Sequence, residues 1–276
     1  MPVADVCRVC LVALTFAHSY YLSQMPLSPL VSIIIPSFND SSSLQKQLPG
    51  LISWLEGNDW RFELIIVDDG SDDAGATAAA AKELGCIYLR NAQNSGKGAT
   101  VRAGMLHAKG DFCVFTDADI PFEYDTFGSL IKMLQNGSCQ MVMGDRTLPG
   151  SVYFRKITRR RKLTSLLFSF LVGKVLLQGH MDTQCGLKGF RKEAARLVFS
   201  LSRIRGFASD VEWVVIAKAN GITIGHIPVR LRSQEGASVH VFRHASAMIL
   251  DLIRIGWNRR AGKYRSCQDA LENLRR

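Results

Sequence analysis

Phe112-Cys113-Val114-Phe115-Thr116-Asp117-Ala118-Asp119 decides how this chain is read. Five consecutive apolar or β-branched residues have the composition of a strand buried on both faces, and they run straight into two carboxylates one residue apart. Strand alternation points Asp117 and Asp119 the same way, so the strand delivers both acids out of its end into a polar cleft. Like charges that close repel unless a cation lies between them. Hard divalent ions such as Mg²⁺ or Mn²⁺ prefer oxygen ligands together with substrate phosphates. The octet therefore predicts a core strand ending on a site for a metal and a phosphorylated ligand.

Working outward, further β-rich runs occupy 31–35, 62–67, 86–89 and 141–143, each bounded by Pro, Gly, Asn or Asp. Helix-compatible segments lie between them at 43–56, 74–84, 98–107 and 125–135. Strand and helix in alternation predict an α/β fold with a Rossmann-like, mostly parallel sheet and helices on both faces. Ligands of such sheets sit where the loops leave the carboxyl ends of the strands. Those loops read Pro36-Ser37-Phe38-Asn39-Asp40, Asp68-Asp69-Gly70-Ser71, Asn94-Ser95-Gly96-Lys97-Gly98 and Asp117-Ala118-Asp119. Turn chemistry explains any one of them singly; four on one rim mark a site. The third loop lacks the GxxxxGK[ST] spacing of an ATPase loop, yet its glycines bring backbone N–H groups and Lys97 to an anion at a helix start. No GxGxxG follows the first strand, which argues against hydride chemistry on a dinucleotide.

The chain has 276 residues, 47% hydrophobic and 21% charged, enough apolar material for a large core and too much for a disordered or collagen-like chain. Residues 1–150 hold 10 Lys/Arg against 16 Asp/Glu, a net of −6, whereas 151–276 hold 24 against 8, a net of +16. The acidic part accepts a phosphorylated ligand only through a cation; the basic part suits an anionic surface. No helix-turn-helix, RRM or zinc-finger pattern accompanies the basic residues, so no nucleic acid is expected and an anionic membrane surface is. Seven scattered cysteines, Cys7, Cys10, Cys86, Cys113, Cys139, Cys185 and Cys267, read as reduced thiols of a cytoplasmic compartment.

Residues 1–28 form a leader of uncertain role whose apolar run 9–17 is too short to span a bilayer, which takes about 20 residues. Six basic residues within 155–162 precede an apolar stretch, 163–177, whose one charge is Lys174, and 155–177 reads as an interfacial helix. Val241, Ala245, Met248, Ile249, Leu252 and Gly256 fall at helical spacing before Arg259, Arg260 and Lys263, so 241–276 reads as a basic amphipathic membrane-interface segment. The expectation is peripheral, monotopic membrane association with the site on the cytoplasmic side.

In order along the chain, Val31-Ser32-Ile33-Ile34-Ile35-Pro36-Ser37-Phe38-Asn39, Val67-Asp68-Asp69-Gly70-Ser71, Asn94-Ser95-Gly96-Lys97-Gly98 and Asp117-Ala118-Asp119 resemble the donor-site motifs of family-two inverting glycosyltransferases of the GT-A fold. Gly144-Asp145-Arg146, the run from Asp182 to Phe190 and the run from Gly206 to Glu212 resemble the polyprenyl-phosphate branch, most of all the dolichyl-phosphate glucosyltransferases. The likeness covers roughly 30–257 and implies a glycosyltransferase domain over 29–240. It implies that Pro36, Phe38, Asn39, Asp69, Gly96, Lys97 and Asp117-Ala118-Asp119 bind a UDP-sugar, with Asp69 on the pyrimidine edge and Asp117 and Asp119 on Mg²⁺ or Mn²⁺. Asp117, Asp119, Arg146, Asp182 and Gln184 would form the catalytic set, and Arg146, Lys188, Arg230, Arg232 and Ser238 would meet the polyprenyl or dolichyl phosphate acceptor.

Two departures bear on the reaction. Pro121 stands where mannosyl-transferring relatives carry a metal-binding Gln, and Val239 replaces a Lys of the acceptor loop, leaving Arg230, Arg232 and His240 as alternatives for its charge. The resemblance implies glucose transfer from UDP-glucose to a polyprenyl phosphate. Mannosyl transfer from GDP-mannose and a silent nucleotide-sugar-binding membrane protein are the alternatives.

Overall fold

The computed structural model describes residues 28–152, 182–232 and 241–266. The leader, the interfacial helix expected within 155–177, Ser238 and His240 lie outside the described residues. Strands β1 (Leu30–Ser37), β2 (Arg61–Asp68), β3 (Ile87–Arg90), β4 (Phe112–Thr116) and β5 (Met141–Asp145) form where the apolar runs predict them. The helices between them are α1 (Ser41–Gly57), α2 (Ala76–Glu83), α3 (Lys97–His107) and α4 (Tyr124–Gln135). Then follow β6 (Leu187–Arg191), α5 (Lys192–Leu201), α6 (Ser209–Ala219), β7 (Ile224–Pro228) and α7 (Val241–Arg260).

The seven strands form one sheet in the order β3-β2-β1-β4-β6-β5-β7. β1 pairs in parallel with β2 and β4, and β2 with β3, in the register Ser37 opposite Asp68 and Ile34 opposite Phe115. This is the expected parallel half, and it releases the first, second and fourth loops along one edge.

Helices cover both faces, as strand alternation requires. Ile34, Ile65, Val67 and Phe115 pack to one side against α3, α5 and α6, while Ile33, Ile35, Ile66 and Val114 pack to the other against α1 and α4. α1 contributes Leu44, Leu48, Leu51 and Leu55, one stripe at helical spacing. Each face thus buries a continuous apolar layer. At about 25 cal/mol per Å² of apolar surface removed from water, these layers are the main source of stability.

The sequence expectation misses two strands, β6 and β7. β6 inserts between β4 and β5 and runs antiparallel to both, so β5 is not the direct neighbour of β4. Its sequence Leu187-Lys188-Gly189-Phe190-Arg191 hides the strand, because a lysine and a glycine stand in the middle. Both have packing reasons. A Cβ at Gly189 would overlap the Leu130 side chain of α4, and Lys188 is buried with its charge paired. α6 is also buried along nearly its whole length, from Ser209 to Ala217.

Among the described residues no helix is long and apolar enough to cross a membrane.

Candidate active site

The rim is assembled by carboxylates that tie one loop to the next. Asp68, buried at the end of β2, accepts hydrogen bonds from Ser71 N and Oγ, Tyr88 Oη and Arg90 Nη1. Burial works to raise its carboxyl, but the bonds from Ser71 and Tyr88, aided by the Arg90 charge, outweigh that and hold it below the usual range. Its neighbour Asp69 turns the other way. Asp69 Oδ1 accepts from Asn91 Nδ2 and Ser95 N, and Oδ2 from Gly96 N, each at 2.8 Å. Asp69 therefore anchors the Asn94-to-Lys97 loop from within. Asn39 N donates to Ser71 Oγ, and Asp72 N donates to Asn39 Oδ1, so the first loop is fastened to the second. Phe38, beside them, is half exposed, as a side chain available to a planar base would be.

The centre of the rim holds acids and one base. Lys97, at the start of α3, places Nζ 2.6 Å from Asp117 Oδ1 and 5.1 Å from the centre of the Phe115 ring. Burial opposes the Lys97 charge, yet Asp117, Asp210 and Asp119 together raise its ammonium above the ordinary value. Asp119 has the opposite problem. Burial, then the neighbouring charges of Asp117 and Asp40, push its carboxyl up to about 6. A carboxylate this strained by its surroundings gains from any cation placed beside it. On the far side of Asp117, a Cβ at Gly186 would overlap Asp117 Oδ2, so the run from Asp182 to Phe190 closes onto the rim through a glycine.

A divalent ion fits this donor set in part. Asp117 and Asp119 are hard oxygen donors, and the hydroxyl oxygen of the preceding Thr116, Oγ1, is buried without a protein partner. Among the described residues no three His, Cys, Asp or Glu side chains are grouped to hold a metal alone. The phosphate oxygens of a ligand would supply the remaining positions.

Arg146 and Asp182 are brought together as a forked pair. Asp182 Oδ2 accepts from Arg146 N at 3.0 Å and Nε at 2.6 Å, and Oδ1 accepts from Nη2 at 2.5 Å. Burial raises the Asp182 carboxyl, but Arg146 outweighs it and the group stays below its ordinary range. The plane of the guanidinium is fixed by this geometry.

The expected acceptor residues are placed less uniformly. Lys188 is fully buried, donating to Cys185 O at 2.6 Å and Asp210 Oδ1 at 2.5 Å between the rings of Phe115 and Trp213. Its charge is spent inside the protein, away from any surface where a lipid phosphate arrives. Arg232 stacks on Tyr124, 4.5 Å from the ring centre, and donates to Tyr124 Oη and Gln47 Oε1. Its N–H donates to Pro121 O, and Glu123 N donates to Arg230 O, so the segment after β7 runs alongside the residues that follow Asp119. The Pro121 carbonyl thus fastens the segment that bears Arg230 and Arg232.

Sequence reasoning placed Glu212 in a motif but gave it no role. It is fully buried in α6 and accepts from Ser202 Oγ, Arg203 N, Ile204 N and Tyr264 Oη. Those bonds hold the loop whose Arg205 carbonyl accepts from Gly98 N and Ala99 N at the start of α3. Three partners lie together at 202–204 and the fourth, Tyr264, is 52 residues further along, so the role of this acid inside an apolar helix is a tertiary fact.

Residues 32–199 match the sequence family described as Glycosyl transferase family 2. A dolichyl-phosphate beta-glucosyltransferase of Trichomonas vaginalis is 32% identical over 237 residues, 82% of this chain and 72% of that protein. The dolichyl-phosphate beta-glucosyltransferase of Homo sapiens is 30% identical over 253 residues, 85% of this chain and 77% of its own. Glucosyl-3-phosphoglycerate synthase from Mycobacterium tuberculosis, solved with Mn²⁺, UDP-glucose and glycerol 3-phosphate, aligns at a TM-score of 0.61 and 19% identity, over 84% of this chain and 80% of that one. At that identity the likeness speaks for the fold. The ordered motifs, the acid-rich rim at the strand ends and these matches agree that the chain belongs to glycosyl transferase family 2, as a glycosyltransferase of the GT-A fold.

Proposed function

We propose that the chain transfers glucose from UDP-glucose to a dolichyl-type polyprenyl phosphate, with inversion at the anomeric carbon and with Mg²⁺ or Mn²⁺. The observation that carries this reading is the Lys97, Asp117 and Asp119 cluster, where an ammonium and two acids meet at one point of the rim. It is supported by relatives named dolichyl-phosphate beta-glucosyltransferases and by a structural neighbour solved with Mn²⁺ and UDP-glucose.

Each residue has a part in this proposal. Pro36, Phe38 and Asn39 wall the base, and Asp69 shapes that pocket through the loop it anchors. Lys97 faces the diphosphate through its ammonium, not through the helix start expected from the sequence. Gly98 N and Ala99 N already donate to the Arg205 carbonyl, and Ser95 N and Gly96 N to Asp69. Asp119, with Asp117, would hold the metal, which supplies positive charge against the leaving diphosphate. Gln184 Nε2, buried without a protein partner, is a donor for the sugar. Arg146, its plane fixed by Asp182, and Arg230 take the acceptor phosphate. That phosphate is already anionic at neutral pH, so one of its oxygens attacks the anomeric carbon as UDP departs, and no general base is required. The acceptor is borne by lipid, so the reaction runs at a membrane surface, with the site on the cytoplasmic side. The four described cysteines are free thiols, in keeping with a reducing compartment.

Incubating the purified chain with radiolabelled UDP-glucose or GDP-mannose, a polyprenyl phosphate and Mn²⁺ tests the proposal. A labelled lipid from UDP-glucose alone, abolished by EDTA, is expected. A product from GDP-mannose alone makes the chain a mannosyltransferase, and nucleotide-sugar binding without product makes it a silent binder.

A further inference from the structure

Lys97 is the rim residue whose place its own neighbours specify least, because it stands between two glycines, Gly96 and Gly98. In both the missing side chain makes room for one loop. A Cβ at Gly96, where φ is +92°, would lie 2.6 Å from the Arg205 carbonyl oxygen, and one at Gly98 would lie 2.6 Å from the Ile204 carbonyl oxygen. The Arg205 carbonyl also accepts from Gly98 N at 2.7 Å and from Ala99 N at 3.3 Å. The segment 202–206 therefore clamps the backbone on both sides of Lys97, and its placement sets how the ammonium reaches the rim.

What fixes that segment lies away from the rim. Glu212 takes Ser202 Oγ at 2.7 Å, Arg203 N at 2.9 Å and Ile204 N at 2.9 Å, so one carboxylate holds the three residues just before the clamp. The Tyr264 hydroxyl donates to its Oε1 at 2.7 Å. Tyr264 belongs to the turn after α7, where its backbone carbonyl accepts from Asn220 Nδ2 at 2.6 Å and Ser266 N donates to Asn220 Oδ1 at 3.0 Å. Tyr264 and Glu212 are both buried, so this turn is bolted to α6 at its start through Glu212 and at its end through Asn220. An apolar side chain would fill the same space at less cost in desolvation; an acid met by several donors fixes direction as well. We propose that Glu212 and Tyr264 are positioning residues for Lys97, setting the 202–206 clamp and through it the ammonium that meets the donor's diphosphate. The turn after α7, beyond the domain boundary expected at 240, is then a working part of the donor site. The inference rests on the reading above in which Lys97 faces a diphosphate.

Calorimetric titration of the full chain with UDP and with uridine, in Mn²⁺ and well below every melting temperature, tests the role. Uridine carries the base and ribose without the phosphates that Lys97 meets. Tyr264→Phe removes one hydroxyl and keeps the ring; it should weaken UDP about threefold to tenfold and leave uridine within about twofold of wild type. Glu212→Gln, which sets a donor among donors, should do the same, so the outcome does not hang on one variant. Leu134→Ala, in the apolar layer on the opposite face of the sheet, should lower Tm and bind both ligands as wild type does. In a Lys97→Met background Tyr264→Phe should add less than about twofold, since the residue it positions is gone. Equal weakening of UDP and uridine overturns the inference, as does a selective loss of UDP in Leu134→Ala or full additivity with Lys97→Met. So does an unchanged UDP affinity in Tyr264→Phe and Glu212→Gln while Lys97→Met weakens it, a result that leaves the assignment of Lys97 intact. If Lys97→Met itself binds UDP as wild type does, the diphosphate reading fails first and the positioning role falls with it.

Discussion

Two lysine–aspartate pairs of nearly equal length do opposite work in this molecule. Lys97 meets Asp117 at 2.6 Å with side chains 21% and 35% exposed, whereas Lys188 meets Asp210 at 2.5 Å with 0% and 7%. The first stands at strand and helix ends where solvent and ligand reach it. The second is wrapped by Phe115 and Trp213. Distance and residue type are the same, so burial decides the role. An exposed pair can trade partners when a charged ligand arrives, while a buried one is part of the core and expensive to split.

The largest effect that would break this comparison is on turnover. Asp119→Ala removes an acid beside the open pair, and transfer should fall about a thousandfold or more, since charge stabilisation of the leaving diphosphate is worth several kcal/mol. The melting temperature should stay close to wild type or rise, because the removed carboxyl is held at an unfavourable pKa. Turnover and melting measured side by side check it. Loss of the fold with loss of activity would place Asp119 with the structural charges.

The next effect is on stability. Lys188→Met leaves Asp210 buried and unpaired, which should cost about 3–5 kcal/mol in denaturant unfolding. Lys188→Met with Asp210→Leu replaces both charges by apolar groups and should recover most of the loss. A stable double variant that no longer transfers sugar would show that the Asp210 charge, which also acts on Lys97, belongs to the open site as well.

A third test uses protons. The Asp119 carboxyl is raised from 3.8 to about 6 in the fold, so the folded state holds a proton that the unfolded chain has released. That proton favours the fold between these values, and metal-free stability should decline as pH rises through this window, a slope that Asp119→Asn removes. Binding of Mn²⁺ needs the carboxylate, so its affinity should weaken by up to about tenfold per pH unit below 6. Calorimetric titration at pH 5 and 7 measures it. A pH-independent affinity would remove Asp119 from the metal site.

The contrast also explains what the sequence reveals. β1, β2 and β4 are legible because strands covered on both faces read as unbroken apolar runs, and their loops are legible because Asp117 and Asp119 follow directly from Thr116. Arg146 and Asp182 are each visible as motif residues, but their pairing across 36 residues is not. β6 is not legible, since the burial of Lys188 depends on Asp210, 22 residues further along, and Gly189 is required by Leu130 on another helix. Asp69 is visible as a site residue, but its three bonds to 91–96 are a tertiary fact. On α7, periodicity finds an amphipathic helix and cannot tell which side the core takes. Local chemistry is written locally; the partner of a buried charge is not.

The smallest effect concerns Arg232, a charge between the two extremes. It is exposed, yet its guanidinium lies on Tyr124 of α4, reaches Gln47 of α1, and its backbone is held by Pro121. Such a side chain fastens three parts of the surface together and leaves little of its charge for a ligand. Arg232→Ala should therefore cost only about 0.5–1 kcal/mol, the worth of an exposed cation on an aromatic ring. The acceptor KM should stay within about twofold of wild type, because interactions not made with the substrate do not enter its binding. Arg230→Ala should do the reverse, with stability unchanged and the acceptor KM raised, since among the described residues Arg230 is bound into the fold through its backbone, whose carbonyl accepts from Glu123 N. Melting curves and acceptor titrations on the two variants separate these roles. If Arg232→Ala raises the acceptor KM as much as Arg230→Ala, the Tyr124 and Gln47 contacts are a resting position that the arginine leaves when the phosphate arrives, and Arg232 behaves like the open pair at Lys97.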